Sequence, residues 1–94
     1  MDYYRYRKSS HDYVVEAVQL TKENVKYVAE WCGGVEVEEI DALDASRRYV
    51  GLNLLTEESG YIRASEGSYI VKDPAGYFHV AWQGRFEHDF EKVD

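Results

Sequence analysis

The clearest hydrophobic pattern in the chain is helical and lies in residues 22–32. Its apolar positions recur at helical spacing: Val25, Val28, Ala29 and Cys32. That spacing forms one apolar stripe along three turns. Thr21 can cap the helix by accepting a hydrogen bond from the N–H of Asn24, and Gly33 can end it, because glycine adopts the left-handed conformation without strain. The pattern therefore predicts an amphipathic helix in the first half of the chain.

Most of the remaining chain carries the patterns of short strands. Residues 13–20 are almost continuously apolar, which is typical of a central strand covered on both faces. Residues 35–40 alternate, so that Val35 and Val37 are expected to face a core. Further strands are predicted at residues 49–56, 61–64, 68–72, 77–82 and 89–93, with a hairpin turn at 57–60 and a helical turn at 83–88.

These patterns together predict an α+β fold, in which one helix of the N-terminal half packs on a mostly antiparallel sheet of about five to six strands. On the predicted strand 77–82, the alternation places Phe78, Val80 and Trp82 on one face. A length of 94 residues supports one hydrophobic core, so residues 1–94 are predicted to form a single compact domain.

The N-terminal segment at residues 3–8 (YYRYRK) places three positive charges among three aromatic side chains. Such a segment has little reason to order by itself, so residues 1–12 are a candidate flexible arm. The segment could instead cap a sheet edge, hold the acidic surface of a partner, or stack on a nucleotide while an arginine meets its phosphate.

The net charge limits the kinds of partner that the protein can bind. The chain has 18 acidic and 11 basic residues, so its formal net charge is −7. A surface of that sign repels phosphate backbones, which argues against broad nucleic-acid binding. Residues 3–8 carry three positive charges, which leaves −10 on the rest of the chain. We therefore expect the N-terminal edge to hold one phosphate or one acidic partner. Mimicry of nucleic acid is a weaker alternative, because positive charges are interspersed among the acids.

Catalytic chemistry has little support in the sequence. The three histidines lack the spacing of a metal site, and no phosphate-binding glycine motif occurs. The single cysteine, Cys32, leaves no internal disulfide, and the C-terminal end of a helix raises a thiol pKa rather than lowering it. The sequence therefore predicts no enzyme, no metal and no cofactor. No apolar run approaches the ~20 residues of a membrane helix, so no membrane partner is expected.

Several stretches of the chain resemble a family of small tailed-phage proteins of unassigned function. Residues 6–8 (YRK) and 14–19 (VVEAVQ) resemble its opening, YRKKPVxVEAVQ. Residues 66–72 (EGSYIVK) and 76–78 (GYF) resemble its PGDWIVKG…GEFY motif, which is of the PGDYG type. Residues 86–93 (FEHDFEKV) are similar to its closing FExTYEPV.

The chain departs from that motif at Glu66, which stands for the proline, and at Ser68, which stands for the aspartate. The resemblance implies a phage origin, a fold with a tight turn that starts a strand, and a location in the cytoplasm of an infected bacterial host. It carries no catalytic residue.

The aromatic content points to binding. Nine tyrosines and two tryptophans exceed what so small a core needs, and Tyr, Trp and Arg are the residues that anchor interfaces. The predicted site residues are aromatic or basic groups near strand ends: Tyr4, Arg5, Tyr6, Arg7, Tyr69, Trp82 and Arg85. We therefore expect a phage accessory protein that binds a host protein and modulates or inhibits a host or defence process.

Two alternatives stay open at this point. One is a protein that sequesters a small-molecule nucleotide signal, which requires stacked aromatic side chains and at least two arginines facing one phosphate. The other is a minor virion structural protein, which would be found by mass spectrometry of purified particles. A homo-oligomer is also expected, because small tyrosine-rich sheet proteins often cover a face by pairing.

Overall fold

The computed structural model describes residues 1–8, 12–56 and 59–93, which form eight strands and two helices. In chain order these are β1 (Asp2–Tyr6), β2 (Val14–Gln19), α1 (Val25–Cys32), β3 (Val35–Ile40), β4 (Arg48–Thr56), β5 (Gly60–Ser65), β6 (Tyr69–Lys72), β7 (Phe78–Ala81), α2 (Gln83–Asp89) and β8 (Phe90–Val93). The α+β fold class is thereby confirmed.

The strands form two antiparallel sheets. A five-stranded sheet, called the large sheet below, has the order β7-β6-β2-β1-β8, and a three-stranded sheet, called the small sheet, has the order β3-β4-β5. The sequence patterns predicted one sheet, whereas the strands from β3 to β5 pair only with one another within the described chain. Strand patterns reveal that a segment pairs, but they do not reveal its partner.

The N-terminal segment is a strand rather than a flexible arm over residues 2–6. β1 lies between β2 and β8, with Tyr3 opposite Glu16 and Tyr6 opposite Phe90. Alternation turns Tyr4 and Tyr6 toward aromatic side chains, and this burial gives the segment the reason to order that its own sequence lacks. Residues 9–11 of the predicted arm lie outside the described residues, as do residues 57 and 58 of the predicted hairpin turn.

Two hydrophobic clusters hold these layers together. The first lies between the two sheets and α1, and its buried members are Leu20, Val25, Val28, Leu52, Leu54, Ala64 and Ile70. The second lies between the large sheet and α2, and its buried members are Val15, Ala17, Tyr69, Val71 and Phe86. β2 is the middle strand of the large sheet and contributes to both clusters, because successive side chains point to opposite faces. Its central position is as predicted.

The predicted helix forms and ends as expected at Gly33, but its N-cap is Asn24 rather than Thr21. The N–H of Asn24 donates to the Thr21 hydroxyl (3.2 Å), and the Asn24 side-chain oxygen accepts from the N–H of Thr21 (2.8 Å). α1 begins three residues later than predicted, at Val25, because residues 22–24 form a turn. Gly33 ends it with φ of +70°, and the N–H of Gly34 donates to the Ala29 carbonyl (2.9 Å). The end of the helix is therefore a left-handed glycine cap.

The expected orientation of Val35 is wrong. β3 forms as predicted, but 64% of Val35 is exposed. Val35 pairs with Asn53, and the neighbouring residues Leu52 and Leu54 of β4 are the ones that are fully buried. Val35 therefore lies on the face of the small sheet that points away from the core. Val37, which pairs with Gly51, lies on that same face, so its expected orientation is wrong as well.

Candidate functional site

A cleft of about 480 Å³ lies between β5, the turn that follows it, and the start of α2. We call it the Trp82 cleft and define it by six of its lining residues: Ile62, Arg63, Glu66, Gly67, Val80 and Trp82. β5 and β7 are edge strands of different sheets, so the cleft opens where the two sheets part. Its volume falls in the range of sites that hold small ligands or anchoring side chains.

Trp82 is exposed because the chain changes direction there. β7 ends at Ala81, and Trp82 is the N-cap of α2 with an extended backbone (φ −69°, ψ 145°). Its carbonyl accepts a hydrogen bond from the N–H of Phe86 (2.9 Å), while 81% of the residue remains exposed. Trp82 therefore lies just beyond the strand on which it was predicted, and it lines the cleft together with Val80.

The electrostatics of the cleft come from one base and one acid. The Arg63 Nε donates to the Asn53 side-chain oxygen (3.1 Å), and a Glu66 carboxylate oxygen accepts from the N–H of Val50 (3.2 Å). Arg63 makes no other hydrogen bond within the described part of the chain. Its terminal nitrogens can therefore donate to an incoming carbonyl or carboxylate beside the indole ring.

Arg85 lies one helical turn beyond Trp82, at the exposed start of α2. Its side chain is 83% exposed, and its Nε is 3.4 Å from an Asp89 carboxylate oxygen. The His88 ring and the Arg85 guanidinium hold the pKa of Asp89 below its usual range. Trp82 and Arg85 are thus the two predicted site residues that the structure places together on an open surface.

The predicted tyrosines belong to the second hydrophobic cluster instead. The Tyr69 ring stacks on Phe86 with centroids 4.2 Å apart, and Tyr4 meets Phe86 edge-on at 4.9 Å. Tyr6 packs on Phe90 at 5.3 Å. Tyr69 is 6% exposed, and its burial raises the pKa of its hydroxyl, which donates to a carboxylate oxygen of Glu87 (2.7 Å). These tyrosines stabilise the packing of α2 on the large sheet.

The predicted arginines of the N-terminus point elsewhere. Alternation places Arg5 on the opposite face of β1 from Tyr4, with its Nε 3.5 Å from an Asp12 carboxylate oxygen but without a hydrogen bond. Arg7 pairs with Glu91 at 3.3 Å. The continuous aromatic–basic segment of the sequence is therefore split by the strand, and local acids neutralise both arginines.

A second concavity of about 360 Å³ lies beside β1, β2 and the turn that follows β6. Its walls include Tyr3, Val14 and the turn around Pro74, and Glu16 and Lys72 occupy opposite positions in its floor. Asp73 also lines this concavity, so its lining carries two acids and one base. We take the Trp82 cleft as the candidate site because Trp82, which lines it, is 81% exposed.

The cleft residues that the sequence did not indicate are Arg63, Glu66 and the apolar pair Ile62 and Val80. Each lies in a strand or turn of ordinary pattern, and only the meeting of two sheet edges brings them together. Trp82 was the one cleft residue that the aromatic content had already indicated.

The described residues show no metal or thiol chemistry. Among them, no group of three or more His, Cys, Asp or Glu side chains could hold a metal ion. Burial is the main cause that raises the pKa of the Cys32 thiol, so the predicted direction holds and Cys32 is poorly suited to be a nucleophile. No helix in the described ranges is long and apolar enough to cross a membrane.

Comparison with protein-family models, with curated proteins and with solved structures gives no match to this chain.

Proposed function

We propose that this chain is a phage accessory protein that acts without catalysis, by binding a host protein through the Trp82 cleft. The observation that carries the proposal is the 81% exposure of Trp82 in a cleft that Ile62 and Val80 also line. Tryptophan is costly to leave in water, and Trp and Arg are the residues that most often dominate the energy of protein interfaces.

The shape of the cleft supports a protein ligand. Ile62, Val80 and Trp82 supply apolar parts of its lining, and the terminal nitrogens of Arg63 can donate hydrogen bonds. An apolar side chain of a partner can pack on the apolar residues while a carbonyl or carboxylate beside it accepts from Arg63. Modulation or inhibition of a host or defence process would follow from occupying the partner's own functional surface.

The proposal is tested by capture followed by reconstitution. Tagged protein is incubated with lysate of the bacterial host, and any captured protein is then purified and titrated by calorimetry. We expect Trp82→Ala to weaken the affinity by about 2 kcal/mol, roughly thirtyfold, because the anchoring ring is lost. Tyr27→Ala is the matched control, since Tyr27 is 63% exposed on α1, away from the cleft.

A double variant, Arg5→Ala with Arg7→Ala, is carried through the same titration. The proposal assigns it an affinity near that of the unmodified protein, because Asp12 and Glu91 already neutralise these side chains. If the double variant loses the partner and Trp82→Ala does not, the N-terminal segment is the binding surface and the cleft assignment is wrong.

Sequestration of a nucleotide signal is the second candidate, favoured by the cleft volume of about 480 Å³ and by the indole beside a guanidinium. It ranks below protein binding, because the cleft holds one arginine among the described residues, Arg63, and this alternative requires two. Thermal unfolding with a panel of cyclic and ADP-ribose-type nucleotides separates the two candidates. A rise of several degrees with one nucleotide would favour sequestration, and no shift across the panel would remove it.

A further inference from the structure

The small sheet has one buried face and one open face. Leu52 and Leu54 of β4 are fully buried toward the core, so the odd-numbered residues of β3, β4 and β5 point the other way. We call these odd-numbered residues the outer face. Three of their apolar side chains are largely in water: Val35 is 64% exposed, Leu55 60% and Tyr61 79%. Leu55 and Tyr61 are direct cross-strand neighbours, so they form one continuous apolar area.

The outer face carries few charges, although the Arg47 guanidinium of the neighbouring loop lies 5.8 Å from the centre of the Tyr49 ring. Gly51 lies at its centre and is covered by side chains that lean over it, since a Cβ there would meet the Glu39 carboxylate at 2.9 Å and Val37 at 3.2 Å. Glu39 and Arg63 are its single acid and its single base. They are already bound to Ser65 and Asn53 on the same face. On a chain of net charge −7, a face with a single acid among its strand residues lets two copies approach with less repulsion between carboxylates than the rest of the surface would cause.

The strand register also makes the outer face complementary to itself. A two-fold axis that runs in the plane of the interface and across the strands reverses the order of the cross-strand rows. Val35 of one copy then lies over Val37 of the other, and Leu55 lies over Tyr49. Arg63 lies over Ser65, so no like charges meet. Two such faces would pack as the sheets of a sandwich do.

We propose that a second copy of this chain covers the outer face, so that the protein forms a two-fold symmetric dimer through its small sheets. Three strands and four rows span about 14 by 25 Å, or roughly 350 Å² in projection, against the ~800 Å² per partner of a standard stable interface. The dimer is therefore reversible, with a dissociation constant in the micromolar range or above. The dimer does not rest on the proposed function, although Arg63 and Ser65 belong both to the outer face and to the Trp82 cleft.

Sedimentation velocity of the full chain from low micromolar to about 1 mM tests the dimer. The expected mass rises with concentration from 10.9 kDa toward twice that value. Val35→Lys with Leu55→Lys is expected to weaken the dimer at least tenfold, because it would bury four lysines in the interface, opposite Val37 and Tyr49 of the other copy. Leu43→Lys with Tyr27→Lys adds the same charge at positions that are 98% and 63% exposed but lie off the outer face, and it should leave the dimer unchanged.

A single species of monomer mass at every concentration would overturn the proposal. Equal weakening by the two double variants would overturn the assignment to the outer face. If the face variant does not fold, amide chemical shifts of the unmodified protein are followed on dilution. Shifts confined to β3, β4 and β5 support the dimer, and shifts elsewhere contradict it.

Discussion

Phe86 and Trp82 lie one helical turn apart and have opposite surroundings. Phe86 is 2% exposed and stacks between Tyr69 and Phe90 with centroids 4.2 and 4.7 Å away. Trp82 is 81% exposed. Phe86 therefore contributes to stability, whereas Trp82 is accessible to the proposed partner. Aromatic content alone placed Tyr69 and Trp82 in one candidate site, and burial separates them.

This difference in exposure predicts that truncating the two side chains lowers the free energy of unfolding by very different amounts. Phe86→Ala should lower the free energy of unfolding by about 3–5 kcal/mol, because it leaves a cavity under α2. Trp82→Ala should change it by roughly 0.5 kcal/mol or less, because little packing is lost at the exposed position. Urea denaturation followed by circular dichroism measures both. Comparable losses in the two variants would mean that Trp82 is part of the core and not a recognition residue.

Each helix has a glycine, but in a different position and backbone conformation. Gly33 closes α1 with φ of +70° and has open space around its Cβ position, so only the backbone conformation requires glycine there. Gly84 lies within α2, also has open space, and has no positive φ. The two glycines therefore form a natural pair for separating backbone strain from steric contact.

Gly33→Ala is expected to cost about 1–2 kcal/mol of stability, because an L residue is strained in the left-handed region. Gly84→Ala is expected to add about 0.5–1 kcal/mol, because alanine restricts the unfolded chain and favours the helix. Thermal unfolding of the two variants beside the unmodified protein is the measurement. If Gly84→Ala also lowered the stability, the added methyl group would have to clash with a neighbouring atom, although the space around Gly84 is open.

At the scale of the whole molecule, β1 joins distant parts of the chain. It lies between β2 and β8, which are separated by most of the sequence. At its end the N–H of Tyr6 donates to the Tyr13 carbonyl (2.9 Å), and the N–H of Arg7 donates to the Asp89 carbonyl (2.8 Å). A segment held on both sides in this way contributes to the cooperative fold, although its composition resembles that of an arm.

Hydrogen exchange followed by mass spectrometry tests this position of β1. Peptides covering residues 2–7 should exchange as slowly as those covering β2, because both strands open only with the large sheet. Peptides covering the exposed loop at residues 41–47 serve as the rapidly exchanging reference. If residues 2–7 exchanged as fast as that loop, they would behave as a flexible arm, and the position of β1 inside the large sheet would be wrong.

The positions and ends of most secondary-structure elements follow from residues that are close together in the sequence. Local periodicity and backbone preference act regardless of the rest of the fold. They account for the apolar stripe of α1, the hydrogen bond between Thr21 and Asn24, the glycine cap at Gly33 and most strand positions. The α+β class follows from the order of those elements.

The arrangement of the strands and the exposure of the site residues follow only from tertiary structure, because they depend on contacts between distant segments. It divided the strands between two sheets, ordered residues 2–6, and turned Tyr4 and Arg5 to opposite faces. It also exposed Trp82 and brought Arg63 to the same cleft. The physical reason is that strand pairing and burial are non-local: a strand pattern is compatible with many partners, and only packing of the whole chain selects one.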